Sequence, residues 1–136
     1  MGTFHSLEEA RDFFRGDTFA AVNGMVIDEL GEDRAVCSMT LGENHRNAYG
    51  GVMGGVIFTL ADFTFAVLSN QIHRITVAQQ VSVNFLAPPK GDRLIARAAV
   101  KKTGQSSTVI NVDVCDGTGR EVMQFVGTGF KLRDKA

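Results

Sequence analysis

VMGGVIFTLADFTFAVL, residues 52–68, is the stretch on which the fold turns. It lacks the alternation of a half-buried strand and exceeds the usual strand length, so it reads as a helix from about Gly54 to Asn70. A helix that is apolar on nearly all sides belongs inside a core. Length alone would admit a membrane span. Gly54-Gly55 near the start, Asp62 at the centre and the lack of a flanking Lys/Arg cluster argue against one. Asp62 is also the sole ionisable group in the run. Taking an ionised carboxylate out of water is costly unless something compensates it, which marks Asp62 as a residue with a partner or a use.

Upstream, Ser6-Leu7-Glu8-Glu9 carries the signature of a capped helix, predicted over about residues 6–15 and stopped by Gly16. Residues 19–30 and 34–41 then read as strands joined at Gly31-Glu32-Asp33. In the second of them Ala35, Cys37, Met39 and Leu41 share a face. A polar loop from Gly42 to Gly51 leads into the apolar helix. Downstream, four alternating segments follow at about 77–86, 93–102, 107–115 and 121–132. They are separated by Pro88-Pro89-Lys90-Gly91, Thr103-Gly104-Gln105 and Asp116-Gly117-Thr118-Gly119. These last four strands are predicted to form an antiparallel meander. The order implies an α+β fold in which one curved antiparallel sheet wraps one long central helix.

The chain of 136 residues fits a single domain spanning 1–136. Its 44% apolar content is that of a soluble protein, and a net charge of -1 gives no reason to expect nucleic acid or a membrane surface as partner. Cys37 and Cys115 are far apart, fit no metal-ligand spacing and read as small buried hydrophobes; the cytoplasm is the expected compartment. No pair of the histidines, His5, His45 and His73, has metal spacing, so no metal site is expected. Gly50-Gly51-Val52-Met53-Gly54-Gly55 is not a phosphate-binding loop, since no Lys-Ser/Thr pair follows it.

The pattern His45-Arg46-Asn47-Ala48-Tyr49-Gly50-Gly51-Val52-Met53-Gly54-Gly55, followed by Leu60-Ala61-Asp62, resembles the hotdog-fold acyl-CoA thioesterases. The likeness is to the phenylacetate-pathway-like branch of the 4-hydroxybenzoyl-CoA thioesterase superfamily. Val83-Asn84-Phe85-Leu86-Ala87-Pro88, Thr103-Gly104-Gln105 and Gly127-Thr128-Gly129-Phe130 extend it over roughly residues 18–132. One position departs: Met53 stands where the family usually has histidine, and a thioether cannot replace the hydrogen bonds of an imidazole. The resemblance implies a hotdog fold, acyl-CoA as substrate, coenzyme A present only as part of that substrate and no separate cofactor. It also implies a homodimer, with a tetramer of two such dimers as the larger assembly.

Thioester hydrolysis needs a base or nucleophile and donors for the carbonyl oxyanion. Asp62 fits the first role, as nucleophile or as general base for water. The Gly54 N–H fits the second: it lies at a helix N-terminus, where amides lack acceptors and the dipole favours negative charge. Asn47 matches the family's motif asparagine and could orient the water or the carboxylate; its plain alternative is a turn former. Met53, Gly55 and Phe85 are candidates for substrate contact. Lys101 and Lys102 are candidates for the phosphates of coenzyme A, against the commoner role of solvated strand-end lysines. Gly54 and Asp62 lie eight residues apart, a rise of about 12 Å on one helix, whereas their targets share one carbonyl. Two helices packed antiparallel across a twofold axis would bring Gly54 of one chain to Asp62 of the other. The expected activity is therefore acyl-CoA thioester hydrolysis at two shared sites. The alternative is a non-catalytic acyl-CoA-binding or sensing module.

Overall fold

The computed structural model describes residues 2–133. Helix α1 (Leu7–Phe14) starts as the pattern predicts: Ser6 accepts from the Glu9 N–H, and the Glu9 carboxylate accepts from the His5 N–H. The next element corrects the sequence expectation. Residues 19–30 are not one strand but a short helix α2 (Thr18–Val22) followed by strand β1 (Val26–Leu30). Ala20-Ala21 favours helix, and Asn23-Gly24 ends it. With Gly24 at φ 73°, its N–H reaches the Ala21 carbonyl and the Met25 N–H reaches that of Ala20, the paired bonds of a glycine helix stop.

Strand β2 (Arg34–Thr40) leads through a 3-10 turn at Glu43–His45 into α3 (Gly54–Ile72), then β3 (Thr76–Phe85), β4 (Arg93–Thr103), β5 (Ser107–Asp116) and β6 (Glu121–Lys131). The six strands form one antiparallel sheet in the order β1-β2-β4-β5-β6-β3. Here too the pattern is corrected. β4, β5 and β6 form the predicted hairpins, but β3 pairs with β6 instead of β4, with Val77 opposite Phe130 and Phe85 opposite Met123. Residues 86–92 contain Pro88 and Pro89, which cannot donate to a hairpin ladder. They cross the end of the sheet instead. The crossing is held by Leu86 N–H to the Val122 carbonyl, Lys90 N–H to the Asp116 carboxylate and Leu41 N–H to the Asp92 carbonyl.

α3 lies in the trough of this sheet. Leu60, Ala61, Phe65 and Leu68 are buried against the inward residues of the strands. Those are the faces the alternation predicts: Ala35, Cys37 and Met39; Leu94, Ala96 and Ala98; Ile110, Val112 and Val114. One close approach is at Phe65. A Cβ on Gly127 would stand 2.8 Å from two Phe65 ring carbons and 2.9 Å from Phe125, so glycine on β6 is what lets the helix sit this close. One stripe of α3 escapes the sheet. Gly55 is exposed and Thr59, Asp62 and Ala66 are half-buried, at the i, i+4, i+7, i+11 spacing of a single helix face.

Candidate active site

The loop before α3 is built to deliver a bare helix start. Asn47 Oδ1 accepts from the N–H groups of Tyr49 and Gly51, both at 3.0 Å, and its backbone pairs with Gly51 and Gly50. The structure thus gives Asn47 a turn-forming role through its oxygen, with the side-chain amide left over. His45 is buried. Its Nδ1 accepts from the Gly42 N–H at 2.9 Å and its Nε2 lies 2.9 Å from Asn23 Oδ1, so the neutral ring with hydrogen on Nε2 ties the loop to α2. The His45 carbonyl takes the Met53 N–H, and the Met53 carbonyl takes that of Val56. Between these two bonds the N–H groups of Gly54 and Gly55 have no acceptor among the described residues. Met53, at the N-cap, makes no side-chain cap and is half exposed.

Asp62 sits two turns further along the same helix. It forms no hydrogen bond or ion pair with any described residue. Partial burial raises its pKa above the usual carboxylate value, and the nearby carboxylate of Asp17 raises it further. Asp17 is a neighbour that the sequence pattern did not single out. It precedes α2, and Asp ahead of Thr18-Phe19-Ala20-Ala21 is the cap signature that would have found it. The carboxylate and the free amides lie on one continuous helix, about 12 Å apart along the axis.

Other predicted site residues fall on two sides. Gly55 and Met53, with Phe19, Met25, Val56 and Thr59, line a groove of about 280 Å³ between α2 and the start of α3. Phe85, at the end of β3, lies with its ring on Gly54: a Cβ there would meet Phe85 Cε1 and Cζ at 3.2 and 3.3 Å. Lys101 and Lys102 are not brought to this end. The Leu94 end of β4 aligns through β5 and β6 with Phe85, and the lysines stand at the opposite end of β4, roughly 24 Å along the strand from Leu94. A second hollow of about 230 Å³ lies near α1 and β1, with Arg11 and Arg15 in its lining. Both guanidinium groups are engaged, Arg11 with the Ile27 carbonyl and Glu8, Arg15 with Asp12.

The site thus offers an unpaired carboxylate, a pair of free amides at a helix N-terminus and an apolar groove beside them. No group of three or more His, Cys, Asp or Glu that could hold a metal gathers among the described residues. The thioesterase superfamily model matches residues 49–123, from the loop through the beginning of β6. The chain is 34% identical over 112 residues to a putative esterase of Deinococcus radiodurans, covering 82% of this chain and 77% of that one. It is 29% identical over 126 residues to the acyl-coenzyme A thioesterase PaaI of Escherichia coli, covering 92% and 90%. The solved structure of the E. coli PaaI protein from the phenylacetic acid degradation operon superposes with a TM-score of 0.90 over 97% of both chains at 28% identity. A hypothetical thioesterase from Streptococcus pneumoniae, solved with coenzyme A, superposes at 0.82 over 92% of this chain and 98% of its own at 25% identity.

Proposed function

The chain belongs to the thioesterase superfamily, and from that membership we propose that it hydrolyses acyl-CoA thioesters to the free acid and coenzyme A, with Asp62 of one subunit and the Gly54 amide of another acting on one carbonyl. The observation that carries this reading is the unpartnered Asp62 on the face of α3 that the sheet leaves open. A carboxylate kept partly out of water with no structural bond to make is poised for chemistry. As general base, Asp62 takes a proton from water while the hydroxide adds to the thioester carbonyl. The oxyanion forms against the Gly54 N–H, and the C–S bond breaks as the thiolate recovers the proton. As nucleophile, it adds to the carbonyl and displaces the coenzyme A thiolate, giving a mixed anhydride that water then opens to the free acid and the restored carboxylate.

The pairing of subunits draws support from β3. This ten-residue strand bonds to β6 on one side only and exposes Val77 and Phe85. An unpaired edge of this length is a template for a second copy. A twofold axis across β3 would join two sheets antiparallel and lay the two α3 helices alongside, opposite in direction. The assembly would also carry the lysine end of one sheet toward the amide end of the other, which is the arrangement Lys101 and Lys102 need to meet coenzyme A.

The test is thiol release from a panel of acyl-CoA substrates, with the assembly state measured by sedimentation. Turnover by a species no smaller than a dimer supports the reading, and a fully active monomer removes the shared site. In a single turnover in H₂¹⁸O, label appearing in the Asp62 carboxyl selects the anhydride route. Met53, in place of the family's histidine, favours a second reading, a non-catalytic acyl-CoA-binding module. Calorimetric binding of acyl-CoA with no thiol released across the panel would select it.

A further inference from the structure

Phe85 is exposed within its own chain. It ends β3 opposite Met123, its backbone is followed at once by the Leu86–Val122 bond and by Pro88-Pro89, and its ring remains 57% exposed. The same ring lies directly on Gly54, close enough that a methyl group there would be 3.2–3.3 Å from two ring carbons, inside the ordinary 3.5–4.0 Å carbon contact. Of the two free amides at the start of α3, one therefore has an aromatic ring lying against its residue. The strand holds the ring's backbone in place, and a side chain at position 54 would require the ring to give by a few tenths of an ångström.

We propose that Phe85 is a positioning residue for the oxyanion donor: its ring shields the Gly54 peptide from water on one side and fixes the direction of its N–H. This rests on the thioesterase reading above and adds a division of labour to it. An amide donor with less competing water interacts more strongly with a developing negative charge. The ring therefore acts on the chemical step through Gly54, more than on affinity for the substrate. A Cβ at position 54 would push against its own chain's Phe85 as well as crowd the approaching carbonyl.

A double-mutant cycle tests this, with kcat, KM and Tm measured for each variant. Phe85→Ala should lower kcat about 10–100-fold with KM changed less than about threefold, in a variant that keeps the wild-type assembly by sedimentation. Phe85→Tyr, which keeps the ring, should recover most of kcat. Gly54→Ala forces the ring aside, so Gly54→Ala/Phe85→Ala should be no slower than Gly54→Ala alone. Three results would overturn the proposal: kcat unchanged in Phe85→Ala, a rise confined to KM, or full additivity of the two substitutions. If the wild-type protein releases no thiol at all, the thioesterase reading fails and this proposal with it. Wild-type turnover with an indifferent Phe85→Ala sinks the role of the ring alone.

Discussion

Asp62→Asn separates the two demands made on one side chain. Asn is isosteric with Asp, and Asp62 makes no hydrogen bond or ion pair with any described residue, so the substitution breaks no described contact of the fold. The loss falls on the reaction. A positioned general base contributes about 10²–10⁴-fold, so kcat/KM should fall by that factor, about 2.7–5.4 kcal/mol of transition-state stabilisation. Stability should move the other way. Burial and Asp17 raise the native pKa of Asp62 above its ordinary value of 3.8, so the native state holds a proton that the unfolded chain has released. Wild-type stability then falls as pH rises from near 3.8 through the raised native pKa, and stays lower above it. The Asn variant lacks this penalty. Its Tm should equal that of the wild type in acid and exceed it at pH 7, with the gap opening across that window. Thiol release at saturating acyl-CoA and thermal unfolding from pH 3 to pH 8 read both effects. Activity within about threefold of wild type, or a variant less stable at pH 7, would refute the placement of Asp62 as an unpaired site carboxylate.

Four further outcomes follow from the same geometry. Asp17→Asn removes the neighbouring negative charge, so the acid limb of the kcat/KM profile should shift to lower pH; an unmoved limb would detach Asp17 from Asp62. Met53→His, at a half-exposed N-cap position with room for a ring, should preserve or raise turnover, whereas a large loss would show the groove rebuilt around methionine. Gly127→Ala should destabilise by about 1–3 kcal/mol through overpacking, because neither Phe65 nor Phe125 has solvent to move into, and chemical denaturation measures it. Asp116, held well below the usual carboxylate range by the Thr118 hydroxyl and the N–H groups of Lys90, Thr118 and Arg120, latches the crossover of residues 86–92. Asp116→Asn should lower Tm at neutral pH, with the deficit shrinking as pH falls below about 3.9.

The central helix and the inward faces of β2, β4 and β5 were legible because a buried face leaves a periodic trace. Ala35, Cys37 and Met39 alternate, and the 52–68 run is too long and too uniform for a strand. α2 was hidden because Phe19, Val22, Met25 and Ile27 supply apolar residues at spacings a strand also tolerates. The local signals that decide it, Asp17 before Thr18 and Asn23-Gly24 after, are weaker than that pattern. The place of β3 was hidden because strand order is set by long-range pairing. Alternation at Val81 and Val83 says which way side chains point, and only the crossover through Pro88-Pro89 decides which neighbour they meet. At the candidate site, Asp62 and Gly54 could be singled out by charge and by the missing Cβ. His45 reads in sequence as a loop polar group, and its buried bonds to Gly42 and Asn23 depend on where α2 folds back. Phe85 could be named as a contact, yet its seat on Gly54 exists only once β3 lies beside β6.

The glycine under Phe65 has a mechanical consequence in the proposed assembly. A donor and an acid carried on one rigid rod travel together when that rod slides. In a twofold pair the opposing rods slide in opposite directions, so a displacement of each along its axis alters the distance between one rod's donor and the other's acid by twice that amount. A tolerance of about half an ångström at the scissile bond therefore demands about a quarter of an ångström at each bearing. The notch that Gly127 leaves for the buried Phe65 ring is one bearing on which such a rod would rest.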